Sequence, residues 1–118
     1  MNLNPMLAEL SEVTGYPVAP DIYTGDSDKW IVYTYTDERG ELYGDDSEQY
    51  VTVKLYVSFY CPSTFNYMAD KKKIKDKLVE LGFQIESISS YLDNSALDGT
   101  NYIRRVLYEI NYTNIDNQ

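Results

Sequence analysis

The sequence of 118 residues predicts a single α+β domain, in which two main helices pack largely on one face of an antiparallel or mixed four-stranded sheet. Three patterns predict this fold. Residues 50–60 alternate between apolar and polar side chains, as a half-buried strand does. Residues 64–82 repeat apolar side chains at helical spacing and end in a glycine. Runs of β-branched and aromatic residues complete the order helix, strand, strand, helix, strand, strand.

The first predicted helix spans Pro5 to about Thr14, because proline suits a first helical turn and Gly15 supplies a stop. Its apolar positions are Met6, Leu7, Leu10 and Val13. The segment "YPVAPDIYTGDSD" follows and is predicted to be an extended arm across the surface, since it holds two prolines and a polar cluster. A first strand is predicted from about Lys29 to Thr36, and the polar stretch "DERGELYGDDSE" is predicted to connect it to the second strand.

The second strand carries the clearest alternation in the chain. Cys61 and Pro62 end it, because proline does not continue a central ladder. One face is predicted to be buried and consists of Val51, Val53, Leu55, Val57 and Phe59. The other face is amphipathic and consists of Tyr50, Thr52, Lys54, Tyr56, Ser58 and Tyr60.

The second predicted helix has its N-cap at Ser63 or Thr64 and stops at Gly82. Its apolar stripe is predicted to cover the buried face of the second strand and consists of Tyr67, Ile74, Leu78 and Leu81. A third strand is predicted over "FQIESISSYL", with Phe83, Ile85 and, after a change of register, Ile88 facing inward. Asp98–Gly99 predicts a tight turn before the fourth strand, "NYIRRVLYEINYT", which carries large apolar or aromatic residues on both faces.

Charge divides the chain into a basic helix and an acidic body. The formal net charge is −9, from 19 acidic and 10 basic residues. Five lysines fall within residues 64–82 together with three acidic residues, which leaves a net charge of −11 on the rest of the chain. This pattern suits docking of copies or partners against each other and disfavours phosphate binding over most of the surface. A solvated helix face beside solubilising loops is the alternative interpretation.

Thirteen tyrosines against three phenylalanines indicate an interface, since tyrosine offers a wide contact area and keeps a polar tip. Ordinary tyrosines of a sheet are the alternative interpretation. The predicted interface residues are Lys71, Lys73, Lys75, Asp45, Asp46, Glu48, Tyr50, Tyr56 and Tyr60.

The sequence contains none of the common motifs for catalysis, metal binding or phosphate binding. Without histidine the chain has no Ser-His-Asp triad and no histidine metal site, and it has no glycine-rich phosphate loop. The single cysteine, Cys61, is predicted to be an unreactive residue at a strand end, and its inability to form an internal disulfide agrees with a reducing compartment. The acidic clusters, Asp26 with Asp28 and Asp45 and Asp46 with Glu48, match no calcium-loop spacing. We therefore expect no enzyme activity, no metal and no cofactor.

The sequence also lacks the marks of a membrane or secreted protein. No apolar run approaches the roughly 20 residues of a membrane span, and the first residues do not follow a signal-peptide pattern. We expect a cytosolic protein without a membrane partner.

Five segments together resemble a known family: an extended arm ending near Trp30, "IVYTYTDERGELYGDD", an alternating strand ending in Cys-Pro, the basic helix "KKKIKDKLVELGF" and the closing strand "NYIRRVLYEINY". The chain is similar, over roughly Leu7 to Tyr112, to the small tail-terminator or tail-completion proteins of long-tailed bacteriophages and prophages. The resemblance implies a structural virion protein that forms a ring, often a hexamer, on the head-proximal end of the tail tube. Such a ring stops tube growth and contributes to joining the head.

The same resemblance implies the partners and the location. The partners are other copies of the chain, the tail-tube protein and a head-completion protein, and DNA passes through the ring without specific binding. The location is the virion tail, and the host cytoplasm during assembly. Two other classes stay open: another head-tail connector or minor capsid component, and an acidic DNA mimic that blocks a nucleic-acid enzyme.

Overall fold

A computed structural model of the chain describes residues 2–42, 48–94 and 102–117. The described residues form a five-stranded mixed sheet with a short bent helix and one longer helix, which confirms the α+β prediction. The elements are α1 (Asn4–Leu7), α2 (Leu10–Thr14), β1 (Val18–Pro20), β2 (Trp30–Leu42), β3 (Glu48–Pro62), α3 (Met68–Glu80), β4 (Gln84–Asn94) and β5 (Tyr102–Asn117). The strand order is β1-β2-β3-β5-β4, in which β1 is parallel to β2 and the other neighbouring pairs are antiparallel.

The sheet has one strand more than the four predicted. Val18–Pro20, expected to be part of a surface arm, forms β1 and pairs with residues 31–33 of β2. An arm and an edge strand both need extended backbone, and proline is tolerated at a sheet edge. The sequence of so short a segment therefore does not distinguish the two.

β2 extends to Leu42, so the prediction that it ends near Thr36 was wrong. The residues expected to be a polar connection pair with β3 as far as Leu42 and Gln49, after a β-bulge between Tyr35 and Asp37. Backbone hydrogen bonds form the ladder whatever the side chains are. A polar sequence can therefore continue a strand that its side-chain pattern does not reveal.

The N-terminal helix is broken in two, because α1 ends before Ala8 and α2 begins at Leu10. Leu7 and Leu10 are buried as predicted, whereas Val13 is exposed. Gly15 ends α2 in the left-handed conformation with φ of 78°, which glycine adopts without a steric penalty.

α3 begins at Met68, several residues after the predicted N-cap at Ser63 or Thr64. The backbone between β3 and α3 first makes a turn, in which the Phe65 amide donates to the Pro62 carbonyl at 3.0 Å. Phe65 and Tyr67 pack against the core in that turn, which keeps the chain from entering the helix earlier. Gly82, with φ of 99°, follows the helix end as predicted.

The core lies between the helices and one face of the sheet. From β3 it contains Val53, Leu55, Val57 and Phe59 of the predicted face, whose fifth member, Val51, is only partly buried, and from α3 it contains Ile74 and Leu78. Leu81 is partly buried against the same cluster. A bulge between Ile85 and Ser87 supplies the predicted register change in β4. The predicted turn at Asp98–Gly99 lies outside the described residues.

Two tyrosine hydroxyls join the layers. The ring of Tyr16 stacks on Phe59 at 5.6 Å, and its hydroxyl donates to Asp70 Oδ2 of α3 at 2.6 Å. The Tyr108 hydroxyl of β5 donates to the Lys71 carbonyl at 2.8 Å. Burial raises the pKa of both phenols, with the Asp70 carboxylate adding to the effect. Both hydroxyls therefore stay protonated and keep donating over the ordinary pH range.

The packing of α3 on β3 predicts a large cost for truncating its side chains. Leu55→Ala or Leu78→Ala should lower the free energy of unfolding by about 2 to 5 kcal/mol, because each leaves a cavity in the core. Urea unfolding of the purified variants measures the loss. Val79→Ala is the matched control on the same helix, since Val79 is 56% exposed, and it should change the value by less than about 0.5 kcal/mol. An unchanged midpoint for Leu78→Ala would contradict the assigned core.

The hydrogen bond from Tyr16 predicts a smaller but measurable cost. Tyr16→Phe should lower the free energy of unfolding by about 1 to 3 kcal/mol, because the buried carboxylate of Asp70 loses a donor. Asp76→Asn serves as the control, since it removes only the exposed ion pair to Lys72 and should cost at most about 1 kcal/mol. Equal free energies of unfolding for the two variants would show that the Tyr16 hydroxyl contributes no more to stability than an exposed ion pair does.

Candidate functional site

The predicted interface residues lie on opposite sides of the sheet. Lys71, Lys73 and Lys75 belong to α3, on the side that the helices cover. Tyr56 and Tyr60 belong to the other side, called here the open face, onto which no described helix packs. The open face includes Trp30, Val32, Thr34, Lys54, Tyr56, Ser58, Tyr60, Arg105, Leu107 and Glu109, which the strand register brings together.

The remaining predicted interface residues are at or beyond one end of the sheet. The backbone of Glu48 and Tyr50 lies at the beginning of β3. Asp45 and Asp46 lie outside the described residues. Within the described residues, the lysines of α3 and the backbone of Glu48 are therefore not brought together.

An aromatic row crosses the open face from the β1 edge towards β5. Tyr23 stacks on Trp30 at 5.6 Å, and Trp30 stacks on Tyr60 at 5.1 Å with an angle of 14° between the rings. The Arg105 guanidinium continues the row at 5.9 Å from the Tyr60 ring, and its Nε donates to Ser58 Oγ at 3.2 Å. The aromatic row is thus Tyr23, Trp30, Tyr60 and Arg105, preorganised by stacking and by a hydrogen bond.

Smaller side chains lie directly beside the aromatic row. Val32, Ser58 and Leu107 are buried although no described helix covers them, since larger neighbours in adjacent positions shield them. Tyr56 and Tyr91, also on this face, keep 39% and 46% of their surface exposed. The open face therefore combines a packed floor with aromatic rings that still contact water, as the core of an interface does before its partner binds.

Polar pairs occupy the open face farther along the strands. Glu86 Oε1 accepts from Asn111 Nδ2 at 2.9 Å and lies 3.8 Å from Lys54 Nζ. The Ser87 hydroxyl donates to Glu109. Polar partners satisfy these groups within the chain, so the apolar contact area is concentrated near the aromatic row.

The lysines of α3 project in two directions. Lys77 Nζ lies 3.4 Å from Glu9 and so faces the N-terminal helices, and Lys73 Nζ lies 3.9 Å from Asp70 of the same helix. Lys71, Lys72 and Lys75 face β4, where they line a groove of about 400 Å³. The groove is called the basic groove and consists of Met68, Lys71, Lys72, Lys75 and Ile88.

The described residues offer little for covalent chemistry. Cys61 is fully buried at the end of β3 as predicted, and burial raises the pKa of its thiol, which keeps it in the unreactive protonated form. Within residues 2–42, 48–94 and 102–117, no group of three or more Cys, Asp or Glu could hold a metal ion. In the same part of the chain, no helix is both long enough and apolar enough to cross a bilayer.

Several residues of the open face and of the basic groove were not predicted from the sequence. Trp30 and Arg105 join Tyr60 only through the pairing of β2, β3 and β5, and no local pattern reveals that register. Met68 and Ile88 form the apolar floor of the basic groove from separate elements. A signal was available for Met68, which lies off the apolar stripe of α3 and yet is a large apolar residue.

Comparisons with known proteins leave the family open. A scan against protein-family models gives no match, and a search of curated proteins gives no match either. The assignment of a function therefore depends on the surfaces described above.

Proposed function

We propose that this protein is a structural component of a long-tailed phage or prophage, which caps the tail tube and contributes to head-tail joining by ring-like self-assembly. The open face is the observation that carries the proposal. Its aromatic row is uncovered, while the opposite side of the same sheet is buried under helices. Aromatic rings held in place before binding give contact area at a low entropic cost, which suits an assembly surface.

The position of the two surfaces supports a ring. A ring is built from heterologous contacts, in which one surface of a subunit meets a different surface of the next. The open face and the basic helix α3 lie on opposite sides of the sheet, so one chain offers two unlike surfaces. Copies joined in this way can continue around a closed circle.

The charge of the chain agrees with the proposed place at the tail tube. DNA moving through the ring should not be held by its phosphates, and a chain of net charge −9 offers few cations to hold it. In this proposal the protein does no covalent chemistry, and its partners are its own copies, the tail-tube protein and a head-completion protein. A different head-tail connector or a minor capsid component would use similar surfaces.

The first test is the oligomeric state of the purified protein. We expect sedimentation velocity to show a discrete oligomer and negative-stain electron microscopy to show rings. A protein that stays monomeric at all concentrations and competes with DNA for a basic enzyme would contradict the proposal and favour the DNA mimic instead.

The role of the open face predicts the effect of a charge placed on it. Tyr56→Glu should weaken self-association by about tenfold or more, because the contact would bury an unpaired carboxylate. Ile22→Glu adds the same charge at an exposed position outside the sheet and should leave association unchanged. Sedimentation velocity at several concentrations compares the two. Equal association of both variants would exclude the open face from the contact between copies.

A further inference from the structure

We infer that a cavity between α1 and the β1 edge of the sheet binds a small alkylammonium ion. The cavity is called the tyrosine cavity and has a volume of about 270 Å³. It lies on the covered side of the sheet, away from the open face, so binding there does not depend on the proposed self-assembly. Its lining residues are Asn4, Pro20, Asp21, Tyr33 and Tyr35.

Three separate elements bring these residues together. Asn4 is the first residue of α1, and Pro20 is the last residue of β1. Pro20 pairs with Tyr33 in the parallel ladder, and Tyr35 follows two positions later on the same face of β2. Because 31 positions separate Asn4 from Tyr35, no local sequence pattern reveals the cavity.

The Tyr33 hydroxyl is the group that calls for a ligand. Tyr33 is only 7% exposed, and its hydroxyl has no hydrogen-bond partner within the described residues. In the same part of the chain, Arg104 Nε is the one completely buried side-chain polar atom without a partner, so the Tyr33 hydroxyl is not sealed in the core. It therefore reaches the space that its side chain lines, which is the tyrosine cavity. A ligand in the cavity would satisfy this hydroxyl.

A second hydroxyl and an amide are fixed beside it. The Tyr35 hydroxyl donates to Asn4 Oδ1 at 2.6 Å and accepts from the Leu3 amide at 3.0 Å. These two hydrogen bonds orient the Tyr35 ring and the side chain of Asn4. The amide oxygen of Asn4 keeps a second lone pair for a further donor.

Asp21 supplies the charge of the cavity. Its amide donates to the Tyr33 carbonyl at 2.9 Å, and its φ of 63° lies in the left-handed region that aspartate tolerates better than most residues. Its carboxylate forms no ion pair in the part of the chain that the structure describes. Burial raises the pKa of Tyr33, and Tyr35 and the Asp21 carboxylate add to this effect. The negative charge of Asp21 therefore acts on the Tyr33 hydroxyl.

These groups suit a primary ammonium ion. Such an ion has one positive charge and three N–H donors, and the acceptors are the Asp21 carboxylate, the Asn4 amide oxygen and the Tyr33 hydroxyl oxygen. The rings of Tyr33 and Tyr35 lie 6.2 Å apart at an angle of 47° and offer aromatic surface to the charge and to an alkyl chain. A single carboxylate suits a monovalent organic cation better than Ca²⁺, which takes six to eight oxygen ligands. The volume of about 270 Å³ limits the alkyl chain to a few carbons.

Saturation-transfer NMR tests binding with n-butylammonium chloride as the probe and n-butanol as its uncharged counterpart. We expect a dissociation constant on the order of 1 mM for n-butylammonium and binding weaker by about tenfold or more for n-butanol. Sodium chloride keeps the ionic strength equal in all samples, because a chain of net charge −9 attracts any cation. Equal affinity for the two probes, or a signal that does not saturate, would overturn the inference.

A pair of charge variants locates the binding site. Asp21→Asn removes the charge and keeps a residue that tolerates the left-handed backbone, so n-butylammonium should bind about tenfold more weakly. Asp26→Asn makes the same change at an exposed position outside the cavity and should bind the probe like the wild type. Circular dichroism verifies that both remain folded. An equal loss in both variants would attribute binding to the overall charge and exclude the tyrosine cavity.

Tyr33→Phe removes the hydroxyl and keeps the ring. Binding of n-butylammonium should weaken by about three- to tenfold, whereas the melting temperature without ligand should change by no more than about 2 °C, because the hydroxyl has no partner to lose. Unchanged affinity would contradict a ligand at this hydroxyl. Saturation transfer detects binding by a monomer and by a ring alike, so sedimentation velocity tests the proposed self-assembly and probe binding tests the cavity independently.

Discussion

A β-strand sends successive side chains to opposite faces, and in β3 this geometry separates the stable part of the protein from the part available for binding. The odd-numbered residues from Val53 to Cys61 are buried against the helices. The even-numbered residues, among them Tyr56 and Tyr60, face the open side. Because β3 is the central strand, with β2 and β5 on either side, its alternation fixes the faces of both neighbours as well.

The two sides are stabilised in different ways. On the covered side, buried apolar residues of the helices meet those of β2, β3 and β5 in one cluster, and the hydroxyls of Tyr16 and Tyr108 donate to acceptors on α3. On the open side, stacking of Trp30 on its neighbours fixes ring positions without removing the rings from water. Tyrosine suits this second role because its hydroxyl can stay hydrated while its ring packs. The large number of tyrosines thus has a structural use on the covered side, and on the open side tyrosine rings form part of the contact surface that we propose.

The sequence predicts those features that depend on local pattern, and it misses those that depend on pairing between distant segments. The buried face of β3 and the stripe of α3 repeat with the period of their own element, so Leu55 and Leu78 were assigned correctly. β1 and the outer half of β2 are held by backbone pairing, which does not require any particular pattern of side chains. The start of α3 was misplaced because Phe65 and Tyr67 pack on the core before the helix begins. The basic groove needs both α3 and β4, so the sequence does not show that Ile88 lies beside the lysines.

The length of the hairpin formed by β2 and β3 affects how far the acidic residues of the hairpin lie from the lysines of α3. In a compact domain of net charge −9, lysines and carboxylates would usually neutralise each other locally, as Lys72 and Asp76 do. Here β2 and β3 extend beyond the strand length that α3 covers, and the backbone of Glu41 and Glu48 lies at the end of the hairpin that is far from the basic groove. A sheet longer than its helical cover therefore places the polar end of the hairpin away from the lysines of α3.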